Sequence, residues 1–152
     1  MPFILTLLFA GAGLALHARR LPPQNLFAIA LLVFGSATAV EWSAQVWGIP
    51  FTPFPLNNES FWCLPIGWIG AIMFARKIAQ TFFGPRRGSS NYGLWVLTTT
   101  VLMSAAFWSL AETILAGFIL LNFVGRLVTS TGILMLVLPW LIEKRPRIYP
   151  VQ

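Results

Sequence analysis

ATAVEWSAQVWGIPF, residues 37–51, sets one glutamate, Glu41, inside an otherwise uncharged, aromatic-rich run. A carboxylate among apolar neighbours has a partner, reaches water or does chemistry, because moving it into hydrocarbon is costly. The rest of the chain is just as apolar. Of its 152 residues 57% are hydrophobic and 9% charged, with a mean hydropathy of +0.77. Soluble domains carry about 25% charged residues. The composition predicts an all-α integral membrane protein, a single transmembrane bundle over residues 1–152 with no separate soluble domain.

The formal net charge of +6 does not point to nucleic acid. Every Lys and Arg except Arg126 lies in a short cluster at the end of an apolar run, as expected of residues that flank membrane spans on the cytoplasmic side. One cysteine, Cys63, permits no internal disulfide, and one histidine, His17, cannot complete a structural metal site of about four ligands. No metal is expected.

Spans of roughly 20 apolar residues are predicted over about 2–18, 25–48, 61–83, 92–112 and 121–142. The first has no basic leader or small-residue cleavage site and reads as a retained helix. Asn25 is placed to cap the second. The prolines and Asn-Asn pair of IPFTPFPLNNES make a loop. Pro139 should kink the last turn of the fifth span. Basic residues fall in the first-to-second loop, the third-to-fourth loop and the tail; the other connections hold only Glu59 and Glu112. That alternation fits a multi-pass protein of a bacterial inner membrane, N-terminus outside (periplasmic) and C-terminus cytoplasmic.

Two helix faces carry small residues at four-residue spacing: Gly35, Ala39 and Ser43 on the second span, Gly67, Ala71 and Ala75 on the third. Such faces let backbones approach closely, so these two helices are expected to pack together. At 1.5 Å per residue, Glu41 lies roughly 10 Å from the outer end of its span. Glu112 and Arg126 fall at similar depth. Each has polar neighbours at helical spacing: Thr38 and Gln45 around Glu41, Ser104 near Glu112 with Trp108 between, and Asn122 and Ser130 around Arg126. One reading is an ion-pair cluster in which the planar fork of Arg126 bridges Glu41 and Glu112 and locks three helices. The other is a site open to the outer interface in which a glutamate donates a proton.

His17 reads as a plain interfacial residue beside Arg19 and Arg20. Trp42, Trp47, Phe51, Phe54, Phe61 and Trp62 gather near one interface, where an aromatic-lined groove would suit a flat polyene or isoprenoid chain. GAGLAL lacks the preceding strand and third glycine of a dinucleotide fingerprint. Histidine boxes, aspartate-rich prenyl-diphosphate motifs and nucleophilic triads are absent from the sequence.

EWSAQVWGIPF (41–51), LPIGWIGAIMFA (64–75) and LLNFVGR (120–126) together resemble the carotenoid-biosynthesis membrane family, whose members hydrate the end-group double bond of acyclic carotenoids. The resemblance covers about residues 37–130, as a shortened, divergent member. It implies that Glu41 or Glu112 protonates the terminal alkene while the other carboxylate, with Asn122, positions water. The chain departs from the family pattern at Thr52-Pro53-Phe54-Pro55, at an acidic helix end represented only by Glu112, and at Arg126, where a tryptophan is usual. Those departures favour a small accessory subunit of a larger membrane complex, surrounded by membrane lipids. The expected host is a photosynthetic assembly with carotenoid- or bacteriochlorophyll-containing subunits; carotenoid or another lipid pigment would be a contact, with no firm cofactor. Carotenoid end-group hydratase is the alternative. A transporter is weaker, since five helices without repeats would have to oligomerise to enclose a path.

Overall fold

The computed structural model describes residues 2–51, 61–116 and 120–141. These form five α-helices: α1 (Pro2–Ala15), α2 (Pro23–Trp47), α3 (Cys63–Phe82), α4 (Tyr92–Ala116) and α5 (Leu120–Val137), with 3-10 turns at Gly84–Arg86 and Leu138–Trp140. No strand occurs among the described residues. Pro23–Trp47, Tyr92–Ile114 and Leu120–Trp140 are long and apolar enough to cross a membrane. α1 is apolar but has 14 residues, about 21 Å at 1.5 Å per residue. α3 carries Arg76 and Lys77 in its second half.

Backbone chemistry sets several boundaries differently from expectation. α2 begins at Pro23, with Pro22 as N-cap and no side-chain cap bond; proline supplies the φ of a first helical residue and lacks only an amide that would be orphaned there. Asn25 is therefore not a cap. It sits in the first turn and donates from Nδ2 to the Trp140 carbonyl at 3.0 Å. α2 ends at Gly48, whose φ of 68° is left-handed and whose amide donates to the Ala44 carbonyl. α4 does not stop at Glu112 but runs on to Ala116. Thr113 satisfies its hydroxyl on the Ser109 carbonyl one turn back, and no glycine or proline interrupts before residue 117. α5 gives way at Val137 to a 3-10 turn, as Pro139 requires.

α2, α3, α4 and α5 pack in a ring in which each helix touches two neighbours, and α1 lies outside against α3. The core is built around Trp68, Ile72, Met73, Ile29, Val33 and Leu134, all buried. Buried α2 residues run Ile29, Val33, Ala37, Glu41 and Ala44, a single stripe at three- and four-residue spacing. The small-residue face expected on α2 points elsewhere: Gly35 and Ala39 are exposed, Ser43 is half-buried, and nothing stands within 4 Å of a Cβ built on Gly35. Gly67, Ala71 and Ala75 of α3 are buried, but Gly67 faces Trp108 of α4 and Thr6 of α1. The close approach in this bundle is between α1 and α3. A Cβ at Gly13 would lie 3.1 Å from Met73 Cβ, and one at Gly70 would collide with the ring of Phe9. Phe9 stacks on Phe74 at a centroid distance of 4.9 Å and on Phe107 at 5.6 Å, filling the seam.

The end opposite Glu41 is tied by side chains to carbonyls just beyond the end of α5. Arg76 Nη2 donates to the Leu141 carbonyl at 2.7 Å, beside the Asn25–Trp140 bond. His17, expected at the interface, is instead buried in the turn after α1. Its Nε2 donates to the Met73 carbonyl at 3.1 Å.

Substituting the two kinds of glycine tests this packing. Gly70→Ala should cost about 1–3 kcal/mol, as overpacking does. Gly35→Ala, in open space, should cost nothing and can gain up to about 1 kcal/mol of helix propensity. Thermal unfolding of the two variants in one detergent, followed by helicity, reads the difference.

Candidate functional site

Arg126 is a lone cation in an apolar helix, and α5 brings it to the centre of the ring. Its burial is complete, as is that of Glu41, and Glu112 is 7% exposed. Arg126 Nε and Nη2 both donate to Glu112 Oε1, at 2.8 and 2.6 Å, while Nη1 pairs with Glu41 Oε1. The two carboxylates thus take different edges of one guanidinium, a geometry open to arginine and not to lysine.

The fourth helix joins through a residue that the charge pattern does not reveal. Trp68 Nε1 of α3 donates to Glu41 Oε1 at 2.9 Å. Trp68 also packs on Trp108 of α4, centroids 5.2 Å apart. The cluster consequently engages α2, α3, α4 and α5. Aromatic faces close around the cation: its Cζ lies 3.5 Å from the Phe51 ring centroid, 5.3 Å from Trp108 and 5.7 Å from Trp68. Cation–π attraction of this kind is worth about 2 kcal/mol when desolvated.

The position of Phe51 follows from the chain after α2. Gly48 turns the backbone, Ser43 Oγ donates to the Ile49 carbonyl at 2.7 Å, and the Ile49–Pro50 peptide bond is cis. Phe51 is then laid inward, 1% exposed. The Pro50 carbonyl comes so near α5 that a Cβ on Gly125 would strike it. Glycine is needed at 125 for that approach. Phe51 therefore does not belong to an interfacial aromatic groove. Trp42, Trp47 and Trp62 are at least half exposed, with Trp42 edge-on to Trp47 and Trp62 stacked on Phe34 and edge-on to Phe61. Phe54 lies outside the described residues.

The polar neighbours divide the same way. Asn122 and Ser130 are buried on the Arg126 face, and Ser104 Oγ donates to Ser130 Oγ at 3.0 Å, a second polar tie between α4 and α5. Gln45 is exposed and Thr38 bonds back to the Phe34 carbonyl, so neither supports Glu41. Glu41 Oε2 is buried without a hydrogen-bond partner among the described residues. No group of three His, Cys, Asp or Glu residues capable of holding a metal occurs among the described residues.

Chemically, the arrangement fixes three charges in a buried site and joins four helices through one guanidinium. No protein-family model matches the chain, and no curated protein or solved structure matches it either.

Removing one partner of a buried pair costs about 3–5 kcal/mol, because it strands the remaining charge, whereas replacing the whole set with apolar side chains is often neutral or better. Arg126→Met should therefore lose about that much. The combination Glu41→Leu, Glu112→Leu and Arg126→Met should recover most of it. Denaturant titration of the purified variants measures both values.

Proposed function

We propose that the chain is a small multi-pass membrane subunit, an accessory or structural component of a larger membrane assembly. What carries this reading is the Glu41–Arg126–Glu112 network. Its guanidinium occupies one oxygen of each carboxylate, and the groups best suited to chemistry are spent on holding four helices together. A site of that kind fixes how the helices are set against one another. In the proposed topology all five helices cross a bacterial inner membrane, the N-terminus is outside, and the basic Arg76–Arg87 end faces the cytoplasm. The acidic and aromatic end then lies toward the outer interface.

The outward face of α2 supports contact with other hydrophobic molecules. Phe27, Leu31, Trp42 and Val46 are each more than half exposed, and they recur at helical spacing. Lipid tails, a neighbouring subunit and a rigid polyene each match such a surface. A pigment–protein complex containing carotenoid is the host that the motif resemblance around Glu41 suggests.

One observation favours a second reading, a carotenoid end-group hydratase. Glu41 Oε2 is the carboxylate oxygen in the cluster that is buried and unbonded among the described residues, the condition of an atom that could hand a proton to an alkene.

Extraction of native membranes with a mild detergent should show the chain migrating with a larger assembly; migration as a free monomer would count against a subunit. In cells supplied with an acyclic carotenoid, no hydrated product is expected. A hydrated product that disappears in Glu41→Gln would replace the subunit reading with the enzymatic one.

A further inference from the structure

The buried cluster does not balance its own charge. Ionised, Glu41 and Glu112 set two negative charges against the single positive charge of Arg126, and one negative charge is left over. Among the described residues, Arg126 is the base paired with either glutamate. α2 packs on α3, on α5 and on the 3-10 turn after it. α3 and α5 turn Trp68 and Arg126 toward Glu41, and Arg126 brings in Glu112 of α4. The other titratable groups of these helices are engaged or placed elsewhere. Cys63 lines a small cavity beside Phe9, Arg76 bonds the Leu141 carbonyl with Lys77 next to it, and Tyr92 begins α4 at the opposite end. Residues 52–60 and 117–119, outside the described residues, contain one acid, Glu59, and no Lys, Arg or His. Lys144, Arg145 and Arg147 come after Leu141, beyond the end of α5 opposite Arg126. An uncompensated charge in an apolar interior is costly, so the cluster calls for one more cation.

We propose that this cation is a single exchangeable proton, held on Glu41 Oε2. Hydrogen bonding sets the two oxygens of that carboxyl apart. Oε1 takes both donors, Trp68 Nε1 at 2.9 Å and Arg126 Nη1, whereas Oε2 is buried with no hydrogen-bond partner among the described residues. A neutral carboxyl has that division: its carbonyl oxygen accepts with two lone pairs, and its hydroxyl oxygen carries the proton. An ionised carboxyl would leave half its charge on an oxygen without a donor. Glu112 suits the charged state better, since it accepts from Arg126 Nε and Nη2 and keeps 7% exposure, whereas Glu41 has none. A proton also needs no cavity. The one of about 440 Å³ between α3, α4 and α5 lies toward the basic end, lined by Arg76 and Tyr92 and not by the cluster. The proton is taken from water, one O–H bond forms at Oε2, and nothing is oxidised or reduced. The inference rests on the geometry of the cluster and holds whether the chain works alone or in an assembly.

The chain has four acidic residues, all glutamates: Glu41, Glu59, Glu112 and Glu143. An isotope label on the glutamate carboxyl carbon therefore gives four signals in the NMR spectrum of the purified full chain, in detergent near neutral pH. One should have the shift of a protonated carboxyl and trace through its side chain to the Glu41 backbone; the others should be carboxylates. Four carboxylate signals, or a protonated signal traced to Glu112, would overturn the assignment. In Glu112→Gln one acid faces one arginine, and the Glu41 signal should move to the carboxylate position. A Glu41 signal that stays protonated there would mean that charge balance does not place the proton. Should that variant not fold, the unmodified chain still decides where the proton sits. Exchanging sodium for choline in the buffer should move nothing. A Glu41 signal that follows sodium would give the site to a metal ion and overturn the proton.

Discussion

A guanidinium with no contact with solvent governs this fold. An isolated charge in an apolar interior carries a desolvation cost of several kcal/mol, a large fraction of a fold's net stability. Arg126 can be where it is only if anionic partners arrive from elsewhere in the chain. Glu112 comes from α4 and Glu41 from α2, Trp68 of α3 orients Glu41, and Phe51 covers the open face of the cation. Among helices surrounded by lipid, apolar contacts barely distinguish one rotation from another, since tails are as greasy as leucine. The bonds to Arg126 are directional. They fix the rotation and depth of four helices together.

The second polar layer works differently. At the basic end Asn25, Arg76 and His17 each donate a hydrogen bond to a backbone carbonyl. The carbonyls of Trp140 and Leu141 lie just beyond α5, so Asn25 and Arg76 dock that end onto α2 and α3, while His17 ties the turn after α1 to the middle of α3. One end of the bundle is thus locked by charge. The other is stitched by hydrogen bonds to carbonyls and keeps space between its helices.

Much of this was legible in the sequence where a physical cost announces itself. A lone arginine in an apolar run must find a carboxylate, and Glu41 and Glu112 were the candidates at matching depth. Hydropathy located the helices, and Pro139 marked the end of α5. Signals without a cost misled. Gly35, Ala39 and Ser43 have the spacing of a packing face, but the first two are exposed and Ser43 is only half-buried, because the stripe from Ile29 through Val33 and Ala37 to Glu41 offers α2 more burial. Glycines that do permit close approach, Gly13, Gly70 and Gly125, carry no periodic signature; each is defined by a bulky group or carbonyl from a distant segment. Trp68 and Phe51 look like any membrane aromatic until the fold sets them against a cation. Asn25 had a capping residue's identity, but the proline pair before it had already begun the helix.

Arg126 is separated from Glu41 by 85 positions and from Glu112 by 14. In a chain synthesised from its N-terminus, both acids emerge before the base that neutralises them. Early helical hairpins can form and even associate, yet they hold carboxylates with no counter-ion until α5 follows. α5 is therefore the element that supplies the cluster with its basic side chain. A chain that ends before residue 126 would hold two acids in apolar helices without the cation that pairs with them.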